Sequence, residues 1–437
     1  MTQAMASTAA DLFAEMASTR PRCFWLDAGP GDGAVHRPIM GALRDDDVSL
    51  TYDAARREVH RHADGETRLV GTDVFTVLED ELARTPPDEI WVGYLGYACR
   101  PDLPARAPRA GQPAMPDAIW MRTRHTTTVG PPASQAAGPA RHRAARHRAA
   151  RHQAARHQAV RPAGETPDPY TRAFDAVQRE LRAGNTYEVN LTHRIQVQDD
   201  LDPAVGYLRL RELNPAPYAG FIQHHGFRLL SSSPERYATI DRDRTIETRP
   251  IKGTTPRGKS AAEDDELRRD LASNPRFRAE NLMIVDLLRN DLAMVCEPGS
   301  VTVPSLMAVE SYSSVHQLVT TVRGRLRDDV TGIGALRALF PAGSMTGAPK
   351  LRTMEIIGRV ETTARGVYSG AFGWIAPDGR ADLGVVIRSL TTTGDGAWEL
   401  GTGGGITVHS TPAEEYAETG WKAERLLQVF APPLPED

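Results

Sequence analysis

An α+β fold is the class this sequence predicts, and three features of its apolar pattern carry the prediction. Residues 366–408 read as an antiparallel meander, with turns at Pro377-Asp378-Gly379 and Gly394-Asp395-Gly396. Strand-like segments also stand near 189–197 and 218–240. Long helical patterns at about 168–184, 278–292 and 412–430 lie apart from these runs. Antiparallel strands with separate helices indicate α+β and not a doubly wound parallel sheet.

In chain order, the first hundred residues read as folded. Cys23-Phe24-Trp25-Leu26 and Ile90 to Tyr97 are rich in aromatic and β-forming residues, as buried strands are. From Pro101 to Pro116 prolines crowd in and the pattern dissolves. Residues 140–159 repeat Ala-Arg-His-Arg-Ala twice and Ala-Arg-His-Gln-Ala twice. A five-residue period drifts around a helix and builds no constant apolar face. The tract therefore reads as a solvated linker, although its arginines and histidines would also suit a polyanion or a metal. Asp168 and Pro169 suit N-cap and N1 of a helix carrying Tyr170, Phe174, Val177 and Leu181, which Gly184 ends. Leu282, Val285 and Leu288 form the expected apolar stripe of the next long helix, and Pro412 opens the last.

Composition narrows the function. The 437 residues are 40% hydrophobic and 25% charged, enough for one large or two medium domains. Cys23, Cys99 and Cys296 are too few and too scattered for a disulfide framework or a metal cage. The first twenty residues include Asp11 and Glu15 and no long apolar run, so no signal or transit peptide is expected. No stretch approaches membrane-spanning length, and the expected location is the cytoplasm. The net charge of −4 includes seven arginines within 130–163, so the remainder carries −11. A mildly acidic body does not suggest nucleic-acid binding.

The residues that could carry chemistry fall in a few clusters. In Arg249-Pro250-Ile251-Lys252-Gly253-Thr254, Pro250 fixes its own φ and Gly253 lets the backbone approach a ligand. A lysine presented this way is a nucleophile, an anion partner or a solvated loop residue. Arg249 is close enough in sequence to be a neighbouring cation, which predicts an amine deprotonated near neutral pH. In the last helix Glu415, Glu418 and Lys422 share one face, and Tyr416, Ala423, Leu427 and Phe430 the other. That charged face is either solvated or gathered around a cation. Glu280 opens the 278–292 helix, where Asp286, Arg289 and Asp291 read as structural ion pairs. Carboxylates from two remote helices, with waters and a substrate carboxylate, would make a Mg²⁺ site. Gly401-Thr402-Gly403-Gly404-Gly405 could offer backbone N–H groups to an anion. Gly343 to Lys350 fails the phosphate-loop spacing, because Ala348-Pro349 separates Gly347 from Lys350.

Taken together, these stretches resemble the chorismate-utilising enzymes: anthranilate synthase component I, aminodeoxychorismate synthase component I, and the isochorismate and salicylate synthases. The matches run from about 170 to 430, with weaker similarity over 20–100. They are Asn214-Pro215-Ala216-Pro217-Tyr218, Ser232-Ser233-Pro234-Glu235-Arg236, the Glu280 helix, Pro341 to Lys350, Val386-Ile387-Arg388-Ser389, Gly403-Gly404-Gly405-Ile406 and Glu415-Tyr416-Ala417-Glu418-Thr419. Pro250-Ile251-Lys252-Gly253-Thr254, followed by Pro256-Arg257, resembles the aminodeoxychorismate synthase group. Anthranilate synthases typically have alanine at the lysine.

The resemblance implies a sandwich of antiparallel sheets flanked by helices. It implies an N-terminal part over 1–129, a linker over 130–165 and the catalytic region over 166–432. By the same resemblance, Lys252 attacks C2 of chorismate and Glu235 protonates the departing C4 hydroxyl. Ammonia then adds at C4 and expels Lys252, giving 4-amino-4-deoxychorismate for p-aminobenzoate and folate or for a secondary metabolite. Glu280 and Glu418 bind Mg²⁺, and Glu415 holds a metal water. Arg388, Lys422, Tyr368 and the Gly403 to Gly405 amides meet substrate carboxylates. His316, Thr254 and Thr346 line the pocket. Leu26-Asp27 and Asn214 to Tyr218 resemble a tryptophan pocket. No Gly-x-Cys-x-Gly turn surrounds a cysteine, so ammonia is expected from solution or a separate glutamine amidotransferase subunit. Two positions depart from the pattern: Glu188 stands where this group usually has Gln, and Phe277 where some relatives have an acid. Glu188 is not the lysine that activates water in isochorismate and salicylate synthases. The rival readings are anthranilate synthase component I, opposed by Lys252, and a catalytically silent ligand-binding subunit, opposed by the presence of Lys252, Glu235 and the metal carboxylates.

Overall fold

The structure, a computed structural model, describes residues 2–27, 38–108, 115–124, 126–128, 166–312 and 315–431. The expected linker over 130–165 lies outside them.

Among the described residues, the strands form two antiparallel sheets, labelled here in chain order. The first runs β17 (Gly347–Ala348), β9 (Glu188–Gln198), β21 (Ala397–Ile406), β20 (Ser389–Thr392), β11 (Phe227–Ser233), β10 (Tyr218–His224), β1 (Arg22–Asp27), β2 (Ile39–Ala42) and β8 (Thr126–Thr128). The second runs β14 (Ile251–Pro256), β16 (Val315–Arg325), β13 (Thr245–Arg249), β12 (Arg236–Ile240), β19 (Ala381–Val385), β18 (Ala371–Ile375), β6 (Ile90–Leu95), β7 (Ala118–Thr123), β3 (Ser49–Asp53), β4 (Glu58–Ala63) and β5 (Glu66–Gly71), and β15 (Thr302–Ser311) pairs with β16. Each sheet joins one block of strands from after the linker to one block from before it. β1 pairs with β10, and β6 with β18.

Strand β1 illustrates the layering. Side chains alternate across a strand. Phe24 and Leu26 point between the sheets, against Val92 and Tyr94 of β6 and Ile119 of β7. Cys23 and Trp25 point outward, against Phe13 of α1 (Thr2–Thr19) and Tyr207 and Leu210 of α4 (Pro203–Leu213). Both faces are covered, so the strand reads as a continuous apolar run. Phe13 sits 5.1 Å from Trp25 and 4.9 Å from Phe221, centroid to centroid, and anchors an N-terminal helix that periodicity had not suggested. Helix α9 (Pro412–Leu427) covers the same sheet through Ala423 and Leu426. The second sheet buries its outer face under α2 (Val74–Leu82), α6 (Pro275–Ala293) and α7 (Gly332–Leu339). Helices α3 (Asp168–Arg182) and α8 (Lys350–Val360) cover Val189, Leu191 and Ile406, and α5 (Ala261–Ser273) precedes α6.

Three sequence expectations are corrected here. The single meander over 366–408 is two hairpins in different sheets: β18–β19 in the second, β20–β21 in the first. The chain changes sheet across Val386-Ile387-Arg388, and Arg388 sits at φ 51. Apolar alternation continues through the crossing because both sheets bury their inner faces, so the pattern alone cannot reveal it. Leu282 is 56% exposed rather than core. A three-residue spacing lags the 3.6-residue turn, and the buried face of α6 is Asn281, Ile284, Val285, Leu288 and Leu292. Helix α3 begins one residue early, with Pro167 at the cap, so Asp168 lies in its first turn. The ion pairs expected in α6 are present: Arg289 with Asp286 at 3.3 Å, and Asp291 with Lys350 at 2.6 Å.

Candidate active site

Lys252 stands on β14 at a bulge. Ile251 faces Val319 and Thr254 faces Gln317, so three steps on β14 match two on β16. Bulges of this kind re-aim side chains. Gly253 makes it possible, at φ 93, and a Cβ there would come within 2.9 Å of the Phe277 ring and 3.0 Å of Leu271. Phe277 therefore packs against the bulge, where some relatives carry an acid.

The amine meets an unexpected partner. Lys252 Nζ donates to Glu188 Oε1 at the start of β9, on side chains 11% and 1% exposed. Arg249 is not the neighbouring cation; its guanidinium pairs with Glu310. Burial alone would lower the lysine pKa, but Glu188, Glu280 and Glu235 outweigh it and hold the amine above its ordinary value. The expectation of a neutral resting amine is thus reversed, because the field is set by acids from other strands and helices. Gly405 makes room for the pair: a Cβ there would lie 2.3 Å from Glu188 Oε1 and 3.3 Å from Lys252 Nζ.

Glu235 lies in the turn between β11 and β12, beside Ser344. It is buried, and Ser344 Oγ donates to its Oε1. Burial pushes this carboxyl up to about 7, against the hydrogen bond from Ser344 and the charges of Lys252 and Lys422. Ser344 belongs to the 3₁₀ turn Gly343–Met345. Sequence reasoning placed it in a motif but missed its role, which only the return of that turn against residue 235 creates.

The remaining acids belong to α6 and α9. Glu415 is buried, which overturns the solvated-face alternative for it. Arg276 spans the helices, 2.9 Å from Glu280 Oε1 and 2.6 Å from Glu415 Oε1. Among the described residues, Glu415 Oε2 is buried without a partner at hydrogen-bond geometry. Lys422 Nζ lies 2.7 Å from Glu418 Oε1 and donates to the Gly403 carbonyl at 2.8 Å. Burial raises the Glu280 and Glu415 carboxyls, whereas Lys422 and Arg276 outweigh burial at Glu418 and lower it. Among the described residues, no three His, Cys, Asp or Glu side chains are gathered closely enough to enclose a metal. The expected set of Glu280, Glu415 and Glu418 is instead strung together by cations, with Arg276 between the first two.

The glycine run has a structural reason. β20 pairs with β21 only as far as Leu400, so Gly401 to Gly405 have β9 on one side and α9 near the other. A Cβ at Gly404 would meet Glu415 Oε2 at 3.3 Å, Lys422 Nζ at 3.8 Å and Glu418 Oε1 at 3.9 Å. At Gly401 it would strike the Tyr368 ring at 2.2 Å. Tyr368 lies under Arg194, 4.9 Å from its ring centroid, and near Arg388. Arg388 makes no side-chain hydrogen bond or ion pair among the described residues, which leaves its charge available.

The pocket-lining expectations divide. Thr254 is exposed beside the bulge. Thr346 is buried and turns its hydroxyl back to the Gly343 carbonyl at 3.0 Å. Both ring nitrogens of His316 are taken, by Ser311 at 2.8 Å and Asp264 at 3.0 Å. Leu26 and Asp27 pair with Gly220 and Ala219, close to the Asn214 segment as a tryptophan pocket would need, and Asp27 is held by Arg211. Lys350 is buried against Asp291 and the Leu339 carbonyl, a structural role.

A family model described as chorismate binding enzyme matches residues 22–428. Aminodeoxychorismate synthase from Streptomyces griseus is 39% identical over 450 residues, covering 94% of this chain and 61% of that protein. The Streptomyces pristinaespiralis aminodeoxychorismate synthase is 40% identical over 457 residues, covering 96% and 63%. The chain thus spans less than two thirds of the length of these curated relatives. Among solved structures, anthranilate synthase component I from Streptococcus pneumoniae TIGR4 aligns over 93% of this chain and 92% of its own, with TM-score 0.69 and 24% identity. The expected sandwich fold is borne out.

Proposed function

The chain belongs to the chorismate-binding enzymes, and from that premise we propose that it aminates chorismate at C4 to give 4-amino-4-deoxychorismate. One observation carries this reading: a largely buried lysine amine, held by Glu188, shares a centre with the buried Glu235 carboxyl, held by Ser344 and pushed up by burial to about 7. Lys252, once neutral, attacks C2, and Glu235 donates its proton to the departing C4 hydroxyl. Ammonia then adds at C4 and expels Lys252. One poor displacement becomes two assisted ones. The unpaired Arg388, with Tyr368 and Lys422, would receive the substrate carboxylates. Ammonia would come from a glutamine amidotransferase partner, and the product would serve p-aminobenzoate, for folate or a secondary metabolite.

Mg²⁺ fits the acids of α6 and α9 by chemistry. The donors are all carboxylate oxygens, as a hard cation requires. A guanidinium already bridges two of them, and Glu415 Oε2 lacks a partner at hydrogen-bond geometry among the described residues. Glu280 and Glu418 would hold the ion, with Glu415 holding one of its waters, once Arg276 releases Glu280 and Glu415 and Lys422 releases Glu418. When bound, Mg²⁺ would supply positive charge for the ring carboxylate of chorismate. Glu280→Gln and Glu418→Gln should each weaken Mg²⁺-dependent chorismate binding at least about tenfold. Glu297→Gln, at an exposed pair with Arg325, should leave it unchanged. Titration calorimetry with equal losses in all three would refute the assignment.

The reading is tested by incubating the protein with chorismate, Mg²⁺ and ammonium and identifying the product by mass spectrometry, with and without an added aminodeoxychorismate lyase. 4-Amino-4-deoxychorismate, converted to p-aminobenzoate by the lyase, is expected; anthranilate would overturn it. The pH profile offers a second check. A general acid works while protonated, so kcat/KM should fall as pH rises through about 7. The hydrogen bond from Ser344 lowers the Glu235 pKa. Ser344→Ala should therefore move the descending limb to higher pH, and a shift the other way would contradict the assignment of that limb to Glu235.

A further inference from the structure

Lys252 cannot attack while a proton holds its lone pair, and its surroundings favour the ammonium. The proton has to leave inside a centre largely closed to water, since the side chain is 11% exposed. Its hydrogen-bond partner is Glu188 Oε1, on a side chain 1% exposed. The second oxygen, Glu188 Oε2, is buried without a hydrogen-bond partner among the described residues. A carboxylate serving only as a structural counter-ion gains by engaging both oxygens. Here one oxygen grips the reacting nitrogen and the other is left without a partner among the described residues, so the group is placed to take the proton of that nitrogen.

The other charged groups facing this pair are otherwise engaged. Glu280 of α6 is bound to Arg276. Glu235 accepts from Ser344 and serves as the acid. Glu418 of α9 is paired with Lys422. The backbone fixes Glu188 from three sides. Its strand neighbours are Ala348 on β17 and, one residue on, Ile406 on β21. Thr186 Oγ1 donates to its carbonyl at 3.0 Å.

We propose that Glu188 is the proton acceptor that frees the Lys252 amine for attack and returns the proton when Lys252 is expelled. The proposal rests on the C4-amination reading. In the first step an N–H bond of Lys252 breaks and the proton passes to Glu188. The freed pair forms the N–C2 bond, the ring double bonds shift, and the C4–O bond breaks. The hydroxyl leaves as water with the Glu235 proton. In the second step ammonia bonds to C4 and the C2–N pair returns to Lys252. Glu188 then hands its proton back to the amine, and the new C4 ammonium restores the proton of Glu235. The sum is chorismate plus ammonia giving aminodeoxychorismate and water.

The test follows adduct formation with chorismate and Mg²⁺ but no ammonia, by rapid quench and intact-protein mass spectrometry across about pH 5.5–9. The parent should show only the descending limb of Glu235, because the lysine proton moves within the pair. Glu188→Gln should form the adduct about 10²-fold more slowly at neutral pH. It should also acquire an ascending limb, because the proton now leaves to solvent. Glu188→Asp should lose that ascending limb again. A Gln variant with the parent rate and profile overturns the proposal while leaving the covalent reading intact. An ascending limb in the parent overturns it without any variant. A parent that forms no adduct removes the covalent reading and this proposal together.

Discussion

Lys252→Ala should slow C4 amination by about 10³-fold or more, because it removes the atom proposed to form the covalent bond. Chorismate and Mg²⁺ should still bind, since the acids of α6 and α9 and the Arg388 guanidinium are untouched. With chorismate and no ammonia, the parent should yield an adduct mapping to the peptide that contains Lys252, and the variant none. The substitution recreates the alanine typical of anthranilate synthases, so slow direct addition of ammonia at C2 is the expected residual reaction. It also leaves Glu188 buried without its cation, a loss of about 3–5 kcal/mol in stability. The double variant Lys252→Ala with Glu188→Gln should recover much of that stability in thermal unfolding and none of the activity. An alanine variant with full C4-amination activity would show that Lys252 is only a pocket-lining cation.

A stability effect of similar size is expected at Arg365, a residue to which the sequence assigned no role. Its guanidinium is 2% exposed and grips both oxygens of Glu361, at 2.7 and 3.0 Å. It also donates to the Met345 carbonyl at 2.6 Å and the Asn190 carbonyl at 2.8 Å, and stacks 4.4 Å from the Tyr97 ring centroid. It thereby ties β9, two residues beyond Glu188, to the turn that carries Ser344. Arg365→Met should cost about 3–5 kcal/mol, mostly because the buried Glu361 carboxylate loses its cation. Glu361 also accepts from Thr192 N and Oγ1, at 2.9 and 2.8 Å, so it is held in place after the loss. Adding Glu361→Gln should return part of the stability, a sign that the unpaired charge and not the lost packing dominates. Denaturant unfolding of the parent and the two variants measures this, and equal stability of Arg365→Met and the parent would refute it.

Much of this protein was legible as a string. Alternation and helical spacing predicted the α+β class, and Lys252, Glu280, Glu415, Glu418 and Lys422 stood out from short stretches whose geometry is local, whereas Glu235 entered only through the resemblance to chorismate-utilising enzymes. Gly253 announced a special backbone, and the bulge uses its positive φ. The environment of those residues was not legible. Arg249 is three positions from Lys252 and does not set its charge; Glu188, 64 positions away, does. Ser344 reaches Glu235 across 109 positions, and Arg276 reaches Glu415 across 139. The crossing at Arg388 from one sheet to the other left the alternation unbroken. Residue type and spacing determine which chemistry a segment can offer. Protonation depends on burial and on charges within a few ångströms, and only the packing of remote strands and helices decides those.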